Sequence, residues 1–91
     1  MKLQEALYNW LSIRMVAEAR PEDQAAQETC EFFLEILQED HHLENLVVSS
    51  EDNHYNVHFV KDGCEQNKQF PKPLIDSLLK SIQSEPKYHR Q

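Results

Sequence analysis

His54-Tyr55-Asn56-Val57-His58-Phe59-Val60-Lys61-Asp62-Gly63-Cys64 is the stretch that decides the fold. Tyr55, Val57 and Phe59 alternate with His54, Asn56 and His58, the period-two pattern of a strand with one buried and one wet face. Asp62-Gly63 then places the only glycine of the chain where a two-residue type I′ turn requires positive φ. The chain must reverse there, so Cys64 to Phe70 returns as a neighbouring strand. It is almost wholly polar, which reads as an exposed sheet edge guarded by Lys68 and ended by Pro71. Upstream, Leu46-Val47-Val48-Ser49-Ser50 is short and β-branched, and Glu51-Asp52-Asn53 has turn composition. Three antiparallel strands are expected.

Outside the strands the period changes to that of helices. Leu3, Ala6, Leu7, Trp10, Ile13 and Ala17 recur on one helical face between Lys2 and Ala19. Arg20-Pro21 breaks that helix, because the residue before proline is driven out of helical geometry. Pro21 fits the first position of a second helix, with Glu22 and Asp23 where the helix dipole favours negative charge. Ala26, Cys30, Phe33 and Leu37 form its inner stripe, widened by Ala25, Thr29, Phe32 and Ile36, and Glu28, Glu31, Glu35 and Glu39 run down the other side. A last helix opens at Pro73 and carries Leu74, Ile75, Leu78, Leu79 and Ile82 as its apolar stripe. The sheet face bearing Tyr55, Val57 and Phe59 needs a cover, and three amphipathic helices supply it. The expected architecture is a two-layer α+β fold, a three-stranded antiparallel sheet covered on one face by three helices in the order ααβββα. Residues 1–86 read as a single domain and residues 87–91 as a loose tail.

Ninety-one residues suit one domain, which buries roughly 60–65% of its unfolded surface. The two cysteines lack disulfide or zinc spacing, and read as reduced thiols of a cytosolic protein. The opening Met-Lys-Leu-Gln-Glu-Ala-Leu lacks the apolar core of a signal peptide, and no apolar run approaches the roughly 20 residues needed to span a bilayer. No membrane association is expected.

Charge is distributed in one block. Residues 18–52 carry eleven carboxylates and one basic residue, Arg20, a net −10, against −7 for the whole chain. The C-terminal half is weakly basic through Lys61, Lys68, Lys72, Lys80, Lys87 and Arg90, but the acidic block repels phosphate and argues against nucleic-acid binding.

Catalytic chemistry finds little footing. Cys30 lies on an inner helical stripe, and nothing in the sequence sets a basic group beside Cys64 to lower its pKa. The single glycine leaves none for a phosphate-cradling loop. The carboxylates of the second helix lie on its polar side, where burial does not tune them for acid–base work. His54 and His58 share a strand face about 13 Å apart, too far to ligate one metal together. No catalytic residue, cofactor or metal site is assigned.

The first helix is apolar around too much of its circumference for a simple surface helix. Tyr8, Leu11, Met15 and Val16 lie off its main stripe, and Arg14 falls toward its apolar side, where it can snorkel outward or pair with Glu31 or Glu35 of its own or another subunit. A candidate protein interface therefore comprises Tyr8, Trp10, Leu11, Arg14 and Met15, with Glu28, Glu31, Glu35 and Glu39 as an acidic stripe facing a partner. The expected function is a non-enzymatic protein-interaction or regulatory module that self-associates through its first helix. The alternative is a small ligand- or metal-responsive protein sensing through His41, His42 or Cys64. The stretch from Leu3 through the Ala-Arg-Pro-Glu-Asp junction at Pro21 to His41 resembles the small uncharacterised cytosolic proteins of Bacillus-type Gram-positive bacteria. That resemblance implies a bacterial, cytoplasmic origin and transfers no functional residue.

Overall fold

The computed structural model describes residues 2–84 and the side chains of residues 2–81. Its elements are α1 (Leu3–Ala19), α2 (Gln24–Glu39), β1 (Leu43–Ser50), β2 (His54–Lys61), β3 (Cys64–Pro71) and α3 (Lys72–Ser84), the expected α+β order. The expected tail at 87–91 and the side chain of Ile82 lie outside the described residues. The strands form one antiparallel sheet in the order β1-β2-β3. Above it, α1 packs against both other helices, α2 meets β1, and α3 meets β3.

The core follows from that arrangement. Ala6, Leu7, Trp10 and Leu11 of α1 meet Leu37, Leu43, Val57, Phe59, Phe70 and Ile75. Each large side chain buried there contributes roughly 1.5–3 kcal/mol against chain entropy. A smaller cluster of Val16, Ala17 and Ala26 closes the far end of α1, flanked by Ile13 and Leu79. The middle helix has neighbours on three sides, which accounts for the wide apolar arc of α1.

The α1–α2 connection differs from expectation. Pro21 does not open α2; it lies in a turn closed by Asp23 N–H donating to the Arg20 carbonyl at 2.9 Å, the position proline favours in such turns. The helix begins at Gln24, because Asp23 caps it by accepting from the Ala26 N–H at 3.1 Å. Gln27 Nε2 then donates to the Ala17 carbonyl at 3.0 Å, joining the end of α1 to the start of α2.

β1 starts at Leu43, three residues earlier than alternation suggests. Glu44 pairs with Val60 but Val47 pairs with His58, so Asn45 and Leu46 together oppose Phe59. Asn45 takes φ 55°, a left-handed conformation that asparagine tolerates better than most residues. The extra residue reverses the in–out alternation, so buried Leu43 and half-buried Leu46 and Val48 all join the helix-covered core. Both Asp62 and Gly63 have positive φ, 54° and 77°, as the predicted type I′ turn requires. β3 is exposed as expected except at half-buried Lys68 and at Phe70, which is buried opposite Tyr55. α3 begins at Lys72, one residue before Pro73, and buries Ile75 fully, while Leu74 and Leu78 of its expected stripe are exposed.

Candidate interaction surface

The five α1 residues expected at an interface divide between core and surface. Trp10 and Leu11 are 3% and 0% exposed, and Tyr8 and Met15 are half-buried against the same core. Arg14 reaches neither Glu31 nor Glu35. Its Nε donates to Glu18 Oε2 at 2.9 Å, and its guanidinium lies 5.3 Å from the centre of the Trp10 ring. Glu18 lies one helical turn along the same helix, at the i,i+4 spacing that brings two side chains together. Beside this pair, a groove of about 260 Å³ between α1 and α2 is lined by Trp10, Arg14, Gln27, Cys30 and Leu34. Burial pushes the Cys30 thiol up in pKa, against the lowering pull of Arg14, so the thiol is not activated as a nucleophile.

The opposite side of α2 is where the acidic stripe lies. Ala26 and Leu37 are buried, and Gln27, Cys30 and Leu34 face the groove toward α1. Glu28, Glu31, Glu35 and Glu39 are all exposed. Ala25, Thr29 and Phe32 do not widen the inner stripe; all three are exposed, whereas Cys30, Phe33 and Ile36 are half-buried. At 100° per residue Phe32 lies about 40° from Glu28, at the edge of the acidic face rather than opposite it. Its side chain is 57% exposed, steadied edge-on against Phe33 with ring centres 5.6 Å apart. Hydrophobicity alone assigned it inward; helical angle was the signal that could have placed it. From Pro21 to Val60 the chain carries ten carboxylates and no lysine or arginine, so α2 and β1 together present an aromatic ring in an undiluted negative field.

β1 adds a second feature to this side, because among the described residues no strand pairs with its outer edge. The Glu51 N–H donates to the His54 carbonyl at 2.9 Å, which makes 51/54 a hydrogen-bonded pair. Along an antiparallel ladder such pairs alternate, so Ser49 and Val47 bond β2 while the backbone N–H and C=O of Val48 and Ser50 point away from it. Val47 is 55% exposed on the bare face of the sheet.

The histidines and Cys64 take other places. On the bare sheet face Asn67 Nδ2 donates to Asn56 Oδ1 at 2.9 Å, and Asn56 Nδ2 lies 3.1 Å from His58 Nε2, an arrangement that needs the ring proton on Nδ1. His42, Glu44 and Asp62 line a depression of about 430 Å³ at one end of the sheet, where Cys64 is also exposed opposite Lys61. Half-buried His41 offers its carbonyl to Lys61 Nζ at 2.8 Å. Among the described residues, no three histidine, cysteine or carboxylate side chains converge to hold a metal ion, and no helix is long and apolar enough to cross a membrane. No family model, curated protein or solved structure matches the chain.

Proposed function

We propose that this protein is a non-enzymatic interaction module that takes a basic protein partner on the surface formed by α2 and β1. The observation that carries the reading is Phe32, 57% exposed at the edge of a face that has four glutamates and no cation of its own. Carboxylates at this density repel one another by a few tenths of a kcal/mol per helical pair, a cost that a cationic partner relieves. Their field steers such a partner inward, and a large apolar ring at the rim of the stripe supplies the anchor that charge alone does not. Self-association through α1 has less support: Trp10 and Leu11 belong to the chain's own core, and a net −7 on each copy opposes like meeting like. The free thiols of Cys30 and Cys64 support placement in a reducing cytosol.

The test is retention of proteins from a bacterial extract on immobilised wild type, Phe32→Ser, and a Glu28→Lys/Glu35→Lys double variant. The expected result is a basic protein held by wild type, lost on both variants, and still held by Leu74→Ser, which alters an exposed leucine on α3. Equal retention by all four, or retention of no basic protein, would overturn the reading.

A further inference from the structure

We propose that the partner docks by adding a strand to the free edge of β1, as an extended segment with apolar residues at alternate positions and lysine or arginine between them. This rests on the interaction reading above and names the chemistry of the partner at that surface.

Three observations converge on it. First, the outward N–H and C=O groups of Val48 and Ser50 form an open template among the described residues, and every hydrogen bond an added strand makes there leaves the β1–β2 ladder intact. Second, the residues that offer these groups are the ones whose side chains turn toward the helices. A strand bonded to Val48 therefore sets its own opposing side chain on the helix-covered face, beside Val48 and the Arg14, Met15 and Glu18 side chains of α1, which line one depression with Ser50 and Tyr55. An apolar residue fits there against Val48 and half-buried Met15.

Third, charge selects the occupant. Glu44 precedes the open segment and Glu51 and Asp52 follow it, with no lysine or arginine between Pro21 and Val60; Arg14 of α1, which lines the depression beside Val48 and Ser50, is already paired with Glu18. A second copy of β1 would bring the same acidic surroundings, so a cationic strand is favoured over self-pairing. The opposite edge, β3, is different in kind: it carries Lys68 and ends in Pro71, both of which discourage strand addition. The bulge at Asn45 limits the usable edge to Leu46–Ser50, a length that suits a short peptide segment.

The experiment uses the full chain and three synthetic seven-residue peptides of equal charge. One alternates lysine with valine; one has the same sequence with alternate backbone nitrogens methylated, on the edge that would face β1; one alternates lysine with glycine. Titration followed by tryptophan-independent anisotropy of a labelled peptide measures affinity, and amide hydrogen exchange locates the contact. The expected result is binding of the lysine–valine peptide about tenfold or more tighter than either of the others, with added protection at Val48 and Ser50. Ser50→Pro removes one outward donor without touching the β2 ladder and lowers affinity several-fold. Val48→Pro does the same at the centre of the edge, and circular dichroism checks that each variant folds. Equal binding of all three peptides, with no protection along β1, would overturn strand addition while leaving a basic partner in place. Binding of none of them would overturn both readings.

Discussion

Replacing Trp10 by alanine separates the two roles that this residue could have. The ring is 3% exposed, packed in the main core beneath the Arg14 guanidinium. Removing a buried Trp or Phe side chain costs about 3–5 kcal/mol, and the lost cation–π contact at a half-exposed arginine adds about 0.5–1 kcal/mol. A domain of this length holds roughly 5–14 kcal/mol in all, at 0.05–0.15 kcal/mol per residue, so the variant loses a large part of its stability. With a urea slope of about 1–1.5 kcal/mol per molar, the loss of about 3.5–6 kcal/mol lowers the midpoint by roughly 2–6 M. The assay is urea unfolding followed by circular dichroism, since the substitution removes the only tryptophan. Trp10→Phe keeps a ring in place and should recover more than half of the loss. The reasoning is refuted if Trp10→Ala unfolds within about 1 kcal/mol of wild type and instead changes elution on a sizing column. The ring would then belong to an interface.

Two further outcomes follow from particular contacts. The Tyr55 hydroxyl donates to Asp76 Oδ1 at 2.9 Å, and its pKa is pushed up from 10.0 to about 12, by burial first and then by the hydrogen bond and charge of Asp76. A raised pKa means that this contribution is complete below pH 10 and is lost as pH climbs through about 12. Tyr55→Phe should therefore be about 1 kcal/mol less stable than wild type at pH 7, with the gap closing toward pH 12 in paired denaturation curves; a gap constant with pH would refute it. Asp23→Ala should cost about 1 kcal/mol by removing the α2 cap, while Asp23→Asn keeps most of it. A urea midpoint unchanged by the alanine substitution would mean that the cap is not formed.

Much of the fold was legible because its signals are local. Alternation over His54 to Val60, the Asp62-Gly63 turn and the helical stripe of α1 each depend on residues a few positions apart, and each appears where its chemistry requires. The start of β1 was hidden for an equally local reason. A bulge at Asn45 inverts the alternation between Leu43 and Leu46, and a strict period-two template cannot read across it. Proline at 21 was misread because either a helix start or a turn suits its fixed φ, and only the Asp23 side chain on the Ala26 N–H decides between them.

The candidate surface was legible in its charge and not in its place. Composition alone determined that α2 and β1 would be acidic without a single compensating lysine or arginine. Periodicity also determined that α1 would be apolar on more than one side, but the same excess serves a partner or a crowded interior equally well. Tertiary structure resolved it by setting α1 between α2 and α3, so that Trp10 and Leu11 are buried from three directions. It also left Phe32 in the open and β1 as an outer strand, because burial and strand order depend on which elements become neighbours across the chain. Local pattern specifies what each element can offer; packing decides which of those faces is left over.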